Sequence, residues 1–200
     1  MNKITTFSEY SRAAASTQME SCKNEDYLRF GLISEVGELC AIFKRAIRGD
    51  FKLEDKREDI LLELGDICWY LDRYYEQIHG RGFYRAGRIE EMRLIYATPN
   101  DKWMDAFFRS KEFRPSCHLL CESAFRCIRV DKTVNGVLYY RNRRAFASRH
   151  MFVGLFFEVS KLANEFGYTL SDVLTANFEK LSKRKERGLI MGSGDHREGK

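Results

Sequence analysis

Apolar side chains recur at three- and four-residue steps along most of the chain, the period of a helix rather than a strand. Over residues 25–48 the series is Leu28, Leu32, Val36, Leu39, Phe43 and Ile47. Over residues 56–79 it is Ile60, Leu64, Ile67, Leu71, Tyr74 and Ile78. Each series predicts an amphipathic helix with one buried stripe, and the polar run "RGDFKLEDK" (48–56) separates the two. Upstream, Thr6 followed by Glu9 has the form of a capping box, opening a first helix that runs to about Glu20. Downstream, "HGRGFYRAGR" (79–88) breaks the pattern with three glycines. Residues 89–116 are ambiguous, with a short helix at "DKWMDAFFRS", and "CHLLCESAFRCIRV" (117–130) reads as helical. "VNGV" (134–137) is a turn able to close a hairpin. A long helix is expected from about 143 to 166, ending near Gly167, and a final one from about Ser171, stopped by Gly188. The expected fold is one all-α domain over residues 1–200.

Two of these helices carry nearly the same phrase, "SEVGELC" at 34–40 and "LELGDIC" at 62–68. On a helical wheel centred on Leu32, Glu35 falls at about −60° and Glu38 at about −120°. On a wheel centred on Ile60, Glu63 and Asp66 fall at those same angles, about −60° and −120°. Both helices therefore place an acid inside the apolar arc and a second at its border. Four carboxylates at the edge of a core repel one another and resist desolvation. No Lys or Arg lies within four residues of Glu35 or Glu63 on that flank. Divalent cations are the natural compensation, and all-oxygen ligation suits Mg²⁺ or Mn²⁺. A di-iron carboxylate bundle would need Glu-x-x-His, which neither helix supplies. Gly37 and Gly65 each cost a helix about 1 kcal/mol relative to Ala, and the expected return is close approach of these two helices. The plainer alternative is a pair of amphipathic helices with ordinary surface acids. A single ExxE favours that alternative; ExxE and ExxD in matched phase favour the metal.

Composition narrows the picture further. The 200 residues are 44% hydrophobic with only 2 Pro, enough for a packed core. No apolar run is long enough to span a bilayer, and "MNKITTFSEYSR" lacks the apolar core of a signal peptide. Six Cys without such a signal read as reduced thiols, so a cytoplasmic protein with no membrane partner is expected. The net charge of +5 is uneven: residues 80–150 hold 15 Lys+Arg against 7 Asp+Glu, whereas the rest hold 19 against 22. A basic middle beside an acidic remainder suits an anionic ligand held partly by metal ions, although charge alone reads equally as a solvated basic surface.

"GLISEVGELCAIFKRAIRGD" followed by "LLELGDICWYL" resembles the MazG-like nucleoside triphosphate pyrophosphohydrolases. So does the end of the chain, in "GYTLSDVLTANFEKLSKRKERG" and "GSGDHRE". The likeness covers about residues 5–79 and 165–198, in the family's order. It implies an all-α enzyme that uses Mg²⁺, with Mn²⁺ as a substitute, to split a nucleoside triphosphate between its α and β phosphates. Nucleoside monophosphate and pyrophosphate are the implied products. By matching position, Glu35, Glu38, Glu63 and Asp66 become the metal ligands. Glu35 or Glu38, or a water that one of them orients, would start the attack. Asn177, Lys180 and Arg184 share one helical face and would hold phosphate oxygens. Lys44, about two turns past the acid pair, and Arg197 in the tail would join them. Trp69 and Tyr70 are placed to stack on a base, but aromatics on a bundle helix are more often core. A homodimer is the default assembly.

The chain departs from the short form of that family at 80–150, a basic insertion. Within it and just beyond, "LLCESAFRC" (119–127) echoes "LISEVGELC", and "FFEVSKLANEF" (156–166) echoes "LLELGDICWYL". Glu122 falls on Glu35 and Glu158 on Glu63, while Lys161 replaces Asp66. One reading is a degenerate duplication of the two-helix unit, which would complete a four-helix bundle in a monomer; chance similarity is the other. Cys117, His118, Cys121 and Cys127 lack a usual structural-zinc spacing. "RNRRAFASRH" (141–150) reads as a positive wall for a triphosphate or a solvated face before it reads as a grip on nucleic acid. Two functional alternatives remain open. One is a non-catalytic nucleotide- or nucleic-acid-binding protein on the same fold. The other is a hydrolase of a different pyrophosphate, phosphoribosyl-linked or alarmone.

Overall fold

A computed structural model describes residues 3–80, 130–134, 137–140 and 149–189. Among these residues are five helices: α1 (Phe7–Thr17), α2 (Glu25–Arg48), α3 (Arg57–His79), α4 (Arg149–Glu165) and α5 (Leu170–Glu186). Single 3-10 turns at Glu20–Cys22 and Leu53–Lys56 precede α2 and α3. Two short strands, β1 (Val130–Val134) and β2 (Val137–Tyr140), pair antiparallel with Val134 opposite Val137. That hairpin is where "VNGV" predicts one, and it is a small departure from an otherwise helical architecture. Val130 therefore opens a strand rather than closing a helix; residues 117–129 lie outside the described residues. None of the described helices is long and apolar enough to cross a membrane.

The ends of the helices follow from their capping chemistry. The Thr6 hydroxyl accepts from the Glu9 amide while the Glu9 carboxylate accepts from the Thr6 amide. α1 stops at Thr17, earlier than the expected Glu20, because Gln18 is already extended. The Asn24 side chain accepts from the amides of Asp26 and Tyr27 and so starts α2. Gly49 (φ 91°) and Gly80 (φ 63°) end α2 and α3 in the left-handed region, where a side chain would be strained.

Packing is organised around α3, which is buried on nearly every side from Glu63 to Tyr75 apart from Asp66 and Tyr70. α2 runs antiparallel to it, since Arg29 meets Tyr74, Gly31 meets Tyr70 and Glu35 meets Asp66. α1 also runs antiparallel to α3, with Arg73 donating to Ser11 and Trp69 Nε1 donating to Thr17 Oγ1 at 3.0 Å. α5 lies parallel to α1: the Ile4 amide donates to Thr175 Oγ1, Tyr10 meets Asn177, and Lys185 Nζ reaches the Ser16 carbonyl. α4 closes the body with Phe152 edge-on to Tyr75 and Phe156 edge-on to Phe7, ring centroids 5.0 Å apart in each pair. The buried stripe of α2 is shifted from the one the periodicity predicts. Ile42 is buried and Ile47 is 88% exposed, so the arc that meets α3 extends to the Ile42 side and Glu35 lies within it, as the wheel places it.

Candidate metal centre

The antiparallel pairing of α2 and α3 brings the two acidic phrases level. One carboxylate oxygen each from Glu35, Glu63 and Asp66 lies within 4.8 Å of the other two. Glu63 is 8% exposed and its two neighbours are half-buried. Glu38 is exposed and stands outside this trio, near enough to act on Glu35 electrostatically. The Glu35 carboxyl is pushed up to about 8, first by burial and then by the negative charges of Asp66, Glu38 and Glu63, with Lys180 pulling the other way. A donor set made only of carboxylate oxygens fits Mg²⁺ or Mn²⁺ rather than zinc or copper, so the residues present suit the ion that the pattern implies.

No Lys or Arg lies near these acids along α2 or α3, but one arrives from another helix. Lys180, on α5, forms an ion pair with Asp66 Oδ2. Asn177 Nδ2 donates to Asp66 Oδ1 at 2.8 Å. The partners come from a helix more than a hundred residues away in sequence, which a search along α2 and α3 alone could not find. Asn177 and Lys180, implied as phosphate holders, are thus brought to the site with Asp66 between them. Arg184 is half-buried one turn beyond Lys180, and Lys44 is exposed on α2. Arg197 lies outside the described residues, as do Glu122 and the Cys117, His118, Cys121 and Cys127 group.

The glycines do not act as expected. Gly37 faces no atom within 4 Å among the described residues, so it does not bring α2 onto α3. Gly31 does: a Cβ there would stand 2.0 Å from Cε1 of Tyr70. Gly65 serves a different approach, because a Cβ would meet Cβ of Asn177 at 2.7 Å. Its missing side chain lets α5, not α2, come close to the acids. Trp69 is a core residue, bonded to Thr17. Tyr70 is half-buried, edge-on to Trp69, its oxygen 3.4 Å from that of Tyr27. Gly31 and Tyr10 escaped the sequence reading. Neither belongs to an acidic phrase, and only the packing of another helix gives them a role.

No family model matches the chain, and no solved structure matches it. Among curated proteins it is similar to the Gene 37 protein of Mycobacterium phage L5, 51% identical over 39 residues. That stretch is 20% of this chain and 34% of the phage protein, so the chain spans about a third of that relative's length.

Proposed function

We propose that the chain is a Mg²⁺-dependent nucleotide pyrophosphohydrolase of the MazG-like kind. The observation that carries this reading is the convergence of Glu35, Glu63 and Asp66 from two antiparallel helices, with Asp66 gripped by Asn177 and Lys180. In this reading Glu35, Glu63 and Asp66, with Glu38 beside them, hold Mg²⁺. The ion supplies neutralisation of the triphosphate and a lower pKa for the attacking water. The rest falls to side chains. Water oxygen bonds to the α phosphorus, the bond from that phosphorus to the bridging α–β oxygen breaks, and pyrophosphate leaves with the electron pair. The water's proton passes to Glu35 or to Glu38, and the exposed position of Glu38 lets it return the proton to solvent. Lys180 has a phosphate oxygen as an alternative partner to Asp66, and Arg184 lies one turn further along the same helix.

The test is a panel of nucleoside triphosphates with Mg²⁺, scored for monophosphate and pyrophosphate in equal amounts. Glu38→Gln and Asp66→Asn are each expected to lower the rate at least about 100-fold. Pyrophosphate release unchanged in both variants would remove the assignment. A salt-sensitive shift on RNA or DNA without pyrophosphate release would favour a binding protein instead.

A further inference from the structure

α1 carries none of the acidic, amide or basic groups assigned to the site, yet it reaches the site through one buried contact. Tyr10, 0% exposed, donates from its hydroxyl to Asn177 Oδ1 at 3.0 Å. Asn177, also 0% exposed, turns its other terminus to Asp66, with Nδ2 at 2.8 Å from Oδ1. A primary amide in such a position has two orientations. Only one puts a donor against the carboxylate; the other sets a carbonyl oxygen against a negative charge. A phenol that donates to the amide oxygen selects the first. Burial, followed by the charges around it, raises the Tyr10 hydroxyl well above its ordinary pKa, so it keeps the proton it must donate. Gly65 supplies the other half of the seat, because any Cβ there would occupy the space of the Asn177 side chain.

We propose that Tyr10 and Gly65 are positioning residues: together they fix the orientation and place of Asn177, which in turn aims Asp66 at the cation. The inference rests on the reading of the acid trio as a metal site. It adds the N-terminal helix and a glycine to a centre otherwise built on α2, α3 and α5. Groups that orient a ligand from behind typically affect metal affinity by about 10-fold to 100-fold. A second buried bond of α1 serves as an internal control. Thr17 Oγ1 accepts from Trp69 Nε1 at 3.0 Å and donates to the Ala14 carbonyl at 2.8 Å, bonds that involve neither Asp66 nor Asn177.

The experiment is Mn²⁺ titration of the full chain without nucleotide, following the free-ion signal by electron paramagnetic resonance below the unfolding temperature. Tyr10→Phe and Gly65→Ala are each expected to weaken Mn²⁺ binding about 10-fold. Thr17→Val, which also removes a buried hydrogen bond from α1, is expected to lower thermal stability and leave the affinity unchanged. Wild-type affinity in both Tyr10→Phe and Gly65→Ala overturns the proposal while leaving the metal site intact. Equal weakening in all three variants overturns it too, because loss of stability alone would then explain the effect. Absence of Mn²⁺ binding by the unaltered chain is a different result, and it rejects the metal site itself. If Tyr10→Phe does not fold, Gly65→Ala decides, since it leaves the Tyr10 side chain itself unchanged.

Discussion

α3 buries acids at two places, and they are resolved in opposite ways. Near its C-terminal end, Asp72 (1% exposed) and Arg73 (2% exposed) form an ion pair. Arg73 also donates to the Ser11 carbonyl and hydroxyl, each at 3.1 Å, and meets Glu76 at 2.8 Å. The next turns of α2 repeat the device: buried Arg29 meets Glu25 at 2.7 Å and donates from Nε to the Tyr74 hydroxyl. Two turns earlier on α3, Glu63 and Asp66 meet Glu35 of α2, with the ammonium of Lys180 on Asp66. The first arrangement is closed, each cation spent on neighbouring acceptors. Among the described residues the second gathers acids about one another: the charges of Asp66, Glu38 and Glu63 add to burial in raising the Glu35 carboxyl, whereas at Asp72, also raised by burial, Arg73 pulls the other way. Burial of acids is therefore not in itself a sign of chemistry; what sets the two places apart is a guanidinium beside the one buried acid and further carboxylates beside the other.

The sharpest way to break this contrast is to unbalance the closed site. Arg73→Ala leaves Asp72 buried without its guanidinium, and the expected loss is about 3–5 kcal/mol by chemical denaturation, with no dependence on added Mg²⁺. A loss below about 1 kcal/mol would mean that the pair is not what holds α1 to α3.

The open site should behave in the reverse sense. Glu35 keeps its proton to about 8 in the folded chain, against an ordinary value of 4.5, and Glu158 on α4 keeps its own to about 7. Burial is the first cause in both, with Glu165 adding to it at Glu158 and Lys161 opposing. Between about pH 4.5 and those values the unfolded chain binds fewer protons than the folded one, so stability falls as pH rises, by up to about 1.4 kcal/mol per pH unit for each group. Glu35→Gln is expected to flatten that fall and stabilise the metal-free chain by about 1–3 kcal/mol at pH 8.5 relative to pH 5. Denaturant curves in the presence of a chelator measure it. A variant that loses stability at pH 8.5 would show that Glu35 is paired after all.

The smallest effects separate two glycines on α2. Gly31→Ala forces a methyl group into the Tyr70 ring and should cost about 1–3 kcal/mol. Gly37→Ala meets open space and should gain up to about 1 kcal/mol of helix stability. Thermal melts of the two variants moving the same way would place the α2–α3 approach elsewhere.

How much of this was legible beforehand varies with the distance over which the physics acts. The limits of α2 and α3 could be read within a residue, because local chemistry at Asn24, Gly49 and Gly80 sets them. Phase alone predicts a set of four acids, since both pairs ride the same angle of an α-helix; three of them meet, and Glu38 stands outside. What stayed hidden depends on the partner across the gap. Gly31 and Gly37 are chemically identical, and only the ring of Tyr70 tells them apart. Lys180 is named by the resemblance as a phosphate holder, but its pairing with Asp66 needs α5 laid beside α3. Ile42 and Ile47 are equally apolar, and only the folded packing shows that Ile42 is covered and Ile47 is not. The paired echoes at 119–127 and 156–166 remain half-drawn, because Glu158 sits buried on α4 while Glu122 lies outside the described residues.

The position of α3 has one more consequence. The chain leaves this helix at Gly80, and after its return α4 docks on the same helix through Phe152 against Tyr74 and Tyr75. Departure and return share one anchor. Whatever passage joins two such fixed points, doubling its length adds only about 0.6 kcal/mol of closure entropy. By closure entropy alone, a longer or shorter passage from Gly80 to Arg149 would therefore change the stability of the helices it joins by little.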